Sequence, residues 1–222
     1  MIPVRPASEP PGFGAKVRGP GLAWLKKNPA PKRPRDYWSP FKPQLADAFR
    51  NLCGYVAMYE PVGTVDHFLS CELHRERAYE WSNYRFAQAW VNSSKQVADE
   101  AVLDPFEVQE GWFEILLPSL QLVRTDKVPA ELRARADYTL DRLHLRHDER
   151  VIRQRRAWYE LYQRGDLSLD GLKEKAPLIA AAVEKQLAQA KASRPPAPSS
   201  PSAAKPRSPS GRAGWPKGTR AR

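Results

Sequence analysis

Only two cysteines, Cys53 and Cys71, occur in the 222 residues. Two thiols cannot build a disulfide framework, so this usage predicts a reducing, cytoplasmic compartment. Long apolar runs are also missing. None approaches the roughly 20 residues needed to span a bilayer, and no membrane partner is expected. The opening stretch MIPVRPASEPPGFGAK lacks the apolar segment of a secretory signal, which predicts no export. Acidic residues are absent from one end: Lys191 to Arg222 carries eight Lys/Arg and no Asp/Glu, a charge of +8.

The other end is similar, with eight basic residues against Glu9 and Asp36 in residues 1–40, or +6. The remaining 20 basic and 23 acidic residues leave the middle at −3 within a total of +11. Attraction to a polyanion is therefore expected to come mainly from the ends. Residues 1–40 hold nine of the 22 prolines and read as an extended, disordered arm, with Trp24 and Leu25 pinning one part of it. Residues 191–222 hold seven more and read as a disordered tail.

Between the ends the periodicity changes several times. Pro43 to Cys53 has helical spacing through Leu45, Phe49 and Leu52. Gly54–Met58 and Thr64–Phe68 read as two short strands around the turn Tyr59-Glu60-Pro61-Val62-Gly63. Asn83 to Lys95 reads as a helix, with Phe86, Ala89 and Trp90 on its buried face. Trp112–Leu117 and Leu120–Val123 predict a second hairpin, and residues 130–144, 148–164 and 168–190 predict helices. The fold class expected is α+β: a core over 41–125, a helical portion over 126–190, and basic Pro-rich segments at 1–40 and 191–222.

The most polar cluster lies inside this order: Val65-Asp66-His67, then Tyr79-Glu80-Trp81-Ser82-Asn83-Tyr84-Arg85, then Val91-Asn92-Ser93-Ser94-Lys95. It resembles the HNH, or ββα-metal, nuclease motif, with a DH pair on a hairpin, an Asn entering a helix, and N-x-x-K farther along that helix. Asn83 and Asn92 are nine residues apart, comparable with the separation in that family. The match covers about residues 50–115. The flanks YEWSNYR and LDPFEVQEGWF are similar to a group of small bacterial HNH proteins. Some of that group partner ATPases in phage-defence systems such as Septu.

Phosphodiester hydrolysis needs an activated water, neutralised phosphate charge and help for the leaving oxygen. A histidine near neutrality can take the water's proton. A carboxylate at Asp66 and an amide oxygen at Asn92 suit one hard divalent ion, Mg²⁺ or Mn²⁺. The resemblance implies His67 as general base, Asp66 and Asn92 as metal ligands, and Asn83 as the brace of the loop that aims His67. It further implies Lys95 and Arg85 as nucleic-acid contacts.

Many HNH domains also hold a structural zinc on paired Cys-x-x-Cys knuckles. Neither pair is present here, so no structural zinc is expected and the two thiols read as buried. A site built from Cys53, Cys71 and His74 is the minor alternative. His144 and His147 read as solvated surface, Trp158 and Tyr162 as packing. Arg153, Arg155 and Arg156 form a basic cluster that suits either a DNA backbone or a solvated helix face. The function expected is DNA endonuclease, alone or with a partner ATPase, and the residues do not distinguish DNA from RNA. The alternative is a non-catalytic nucleic-acid-binding or scaffolding protein on a degenerate HNH fold.

Overall fold

A computed structural model of the protein describes residues 1–29 and 33–193. The tail expected to be disordered lies almost wholly outside these described residues. Among the described residues, seven α-helices and two antiparallel two-stranded sheets form a mixed, α+β arrangement. Among the described residues no helix is long and apolar enough to cross a membrane.

The first hairpin pairs β1 (Thr64–His67) with β2 (Tyr84–Ala87). Asp66 stands opposite Arg85 and His67 opposite Tyr84. This corrects the expected partner, because Gly54–Met58 is not a strand. There Ala57 adopts φ +56°, its N–H donates to Cys53 O at 2.8 Å, and the segment closes as tight turns. It corrects the expected helix as well. Tyr84-Arg85-Phe86 is extended, buried on both faces and laddered to β1, and helix α3 starts only at Ala89 (Ala89–Lys95). The Phe86, Ala89 and Trp90 spacing mimics a helix, but aromatic residues also suit a buried strand, and pairing decided. Gly63 permits the approach: a Cβ there would lie 2.4 Å from the Phe86 ring.

The second hairpin, β3 (Phe113–Leu116) with β4 (Gln121–Arg124), lies where the sequence pattern put it. Four helices follow: α4 (Arg133–Arg142), α5 (Glu149–Gln163), α6 (Leu169–Lys175) and α7 (Pro177–Ala192). Asp148 caps α5 by accepting from Arg150 N, and Ser168 caps α6 by accepting from Gly171 N. Pro177 occupies the first turn of α7, where its missing N–H costs nothing, and splits the run expected as one helix. The larger core gathers Ile115, Leu122, Leu140, Val151, Leu172 and Ile179 from these elements. Arg155, expected with Arg153 and Arg156 in a basic surface cluster, is instead 1% exposed. Its guanidinium donates to the carbonyls of Leu120, Leu145 and Arg146.

The N-terminal segment is not a disordered arm. A π-turn at Gly14–Arg18 runs into α1 (Gly19–Lys27), and a second short helix, α2 (Lys42–Ala48), follows. Phe13 and Val17 are fully buried in a smaller core with Trp38, Phe41, Tyr79, Trp81 and Tyr84. Phe13 meets Phe41, Trp81 and Tyr84 edge-on at 5.3–5.7 Å. Gly21 lies flat on Tyr79, where a Cβ would be 2.3 Å from the ring. Trp81 Nε1 donates to Ala7 O and Tyr79 OH to Arg35 O, so the body supplies donors to a segment poor in them. Aromatic burial outweighs the proline content.

Candidate active site

Asp66 ends at the centre of a buried polar cluster and is 1% exposed. Its Oδ2 accepts from Tyr55 OH at 2.6 Å, and its Oδ1 lies 3.3 Å from Lys95 Nζ. Burial and the neighbouring Asp66 charge push the Tyr55 phenol well above its ordinary range, so it stays a donor. Lys95 Nζ also donates to His67 O at 2.9 Å and Phe68 O at 2.8 Å. Its three protons are thus committed to the backbone and carboxylate around the Asp66-His67 corner.

The His67 ring is held on the other side. Its Nε2 is 2.9 Å from Ala78 O, a carbonyl that can only accept, so Nε2 carries the proton in the neutral ring and Nδ1 keeps its lone pair. Trp38 and Tyr84 flank the ring edge-on at 4.6 and 5.0 Å. Burial lowers the imidazole pKa from 6.5, chiefly by desolvation, with the Ala78 hydrogen bond opposing it. The ring is therefore neutral near pH 7.

Asn83 occupies a 3-10 turn (Trp81–Asn83) just before β2, not a helix start. It is 3% exposed. Oδ1 accepts from Leu69 N at 2.8 Å, and Nδ2 donates to Leu69 O at 3.0 Å and Arg77 O at 3.2 Å. Those bonds clamp the loop between β1 and β2, which also presents Ala78 O to His67. Asn92 faces β1 from α3, and its Nδ2 donates to Val65 O at 3.2 Å.

Asp66, His67 and Asn92 line one cavity of about 300 Å³. The N-terminal segment lines the same cavity with Arg33, Asp36, Trp38 and Lys42. Asp36 is tied down by Ser39, whose N–H and Oγ donate to its two oxygens. Arg33, Asp36 and Trp38 were not anticipated, because the segment 1–40 was expected to be a disordered arm, and Lys42, inside the expected core, lies outside the motif residues. Tyr55 was missed for the same kind of reason, lying in a supposed strand whose register carried no information.

Two expectations are corrected. Lys95 is fully buried and Arg85 is 3% exposed. Arg85 grips Asp104 through Nε at 2.6 Å and Nη2 at 2.5 Å, and its guanidinium sits 3.6 Å above the Phe106 ring. Neither side chain is free to reach a phosphate. Both hold the corner together instead.

The donor set fits a hard divalent ion in type, since Asp66 and Asn92 offer oxygen and each Asp66 oxygen retains acceptor capacity. The fit is partial in charge, because Lys95 already balances the carboxylate. Cys53 lies in the larger core and Cys71 beside the smaller one, at the cavity wall. No family model matches the chain, and no curated protein matches it.

Proposed function

We propose that this chain is a metal-dependent nuclease of the HNH kind, hydrolysing phosphodiester bonds in nucleic acid, with DNA the first substrate to test. The observation that carries the reading is the cavity shared by Asp66, His67 and Asn92, with Asn83 clamping the loop that holds the His67 ring. In this reading His67 Nδ1 accepts the proton of the attacking water while Nε2 stays bonded to Ala78 O. The water oxygen bonds to phosphorus and the bond from phosphorus to the leaving oxygen breaks. Mg²⁺ or Mn²⁺, held by Asp66 and Asn92, supplies charge neutralisation at the phosphate when bound.

Incubating supercoiled plasmid with the full chain and Mg²⁺, Mn²⁺ or EDTA tests this. Nicking with either metal and none with EDTA is expected. An intact plasmid in both metals at saturating protein rejects the reading. A second reading, a non-catalytic nucleic-acid-binding protein, is favoured by one observation. The Lys95 ammonium, 3.3 Å from Asp66, weakens that carboxylate's pull on a dication. Binding without cleavage in the same assay selects it. A partner ATPase in bacterial phage defence is a further proposal, resting on the flanking resemblance alone, and co-purification from the native host tests it.

A further inference from the structure

Both side chains expected to meet the substrate's phosphates are locked inside the fold, yet the cavity is not without cations. Arg33 and Lys42 line it together with Asp66, His67 and Asn92. Arg33 is exposed and Lys42 half-buried. Among the described residues neither makes a salt bridge or a side-chain hydrogen bond, whereas Arg85, Lys95, Arg124, Arg135 and Arg146 are all paired. The neighbouring carboxylates are occupied: Asp36 by Ser39, Asp66 by Tyr55 and Lys95.

Two unpaired cations facing a polar cavity suit an anion that brings its own charge. A phosphate group satisfies both, accepting the forked N–H groups of an arginine and the point charge of a lysine. We propose that Arg33 and Lys42 are the side chains that hold the nucleic-acid phosphate against His67. The N-terminal segment is then half of the substrate site, not a tether beside it. The word substrate rests on the nuclease reading, but the binding claim does not.

The test uses the full chain in EDTA with a fluorescein-labelled single-stranded oligothymidylate, titrated by anisotropy across a salt series. Arg33→Gln/Lys42→Gln is compared with wild type and with Arg164→Gln/Lys173→Gln, which removes equal charge from exposed residues elsewhere. The cavity pair is expected to weaken binding and to make the slope of log affinity on log salt shallower by about 1.4, two contacts at about 0.7 each. The control pair is expected to change neither. Charge-conserving Arg33→Lys/Lys42→Arg should recover most of the affinity, which separates lost charge from a disturbed fold. Binding of the cavity pair indistinguishable from the control pair overturns the proposal. Inorganic phosphate as competitor separates sources: displacement only by oligonucleotide supports a strand, while equal displacement by millimolar phosphate reassigns the site to a small anion and overturns it as stated. Charge-dependent binding without plasmid cleavage leaves this proposal standing and removes the nuclease reading. Cleavage by a wild type whose binding ignores Arg33 and Lys42 does the reverse.

Discussion

Lys95 and Asp66 are opposite charges buried at 0% and 1% exposure, and each is the other's main compensation. Removing one partner of such a pair strands the other in a low-dielectric interior. Lys95→Met is therefore expected to cost about 3–5 kcal/mol in urea unfolding, because Asp66 keeps only Tyr55 and two carbonyls lose their donor. A loss below about 1 kcal/mol, the scale of an exposed pair, contradicts this account of the corner. Cys71 makes a separate residue-scale statement. Burial pushes its thiol up from 9.0 to about 12, with Arg33 pulling partly the other way. The reactive form is the thiolate, so a raised value means little of it in mildly alkaline buffer. Iodoacetamide is expected to alkylate Cys71 slowly in the native protein and rapidly in urea. Equal rates contradict the burial. The residue types of the site were readable from the chain, since Asp66, His67, Asn83 and Asn92 stand out as a set. Their loads were not, because whether Lys95 faces solvent or the buried carboxylate of Asp66 depends on a contact 29 residues away in the chain.

At the scale of elements, the N-terminal segment decides the shape of the site. It is fastened where α1 lays Gly21 on the Tyr79 ring with no room for a methyl group. Gly21→Ala is expected to destabilise the protein by about 1–3 kcal/mol through overpacking and to expose the segment to trypsin at Lys26 and Lys27. An unchanged melting temperature with an unchanged digestion pattern contradicts that docking. Sequence reasoning found the second hairpin and the C-terminal helices because their local patterns agree with their tertiary roles. It misread the first hairpin. Periodicity over Tyr84–Trp90 supports strand and helix alike, and only the ladder to Thr64–His67, some 20 residues back, separates them. It also misread residues 1–40, whose proline count suggests disorder although Phe13, Val17 and Trp38 carry enough apolar surface to dock.

Across the whole molecule, charge and chemistry are divided. The middle of the chain, where Asp66, His67, Asn83 and Asn92 lie, carries −3, while Lys191 to Arg222 carries +8. A chain ending near Ala190 is expected to bind non-specific DNA more weakly and with a shallower salt dependence, since fewer counterions are released. Its turnover at saturating DNA is expected to match the full chain. An unchanged salt slope rejects the tail as an electrostatic tether.

We propose His67 as the base of a site assembled by Asn83 and the N-terminal segment. It is tested most directly by single-turnover cleavage of saturating DNA in Mg²⁺, comparing wild type with His67→Ala. The His67→Ala rate is expected to be lower by ~10²–10⁴-fold with DNA affinity unchanged, because Arg33, Lys42 and the basic tail are intact. Equal cleavage by the two proteins contradicts it.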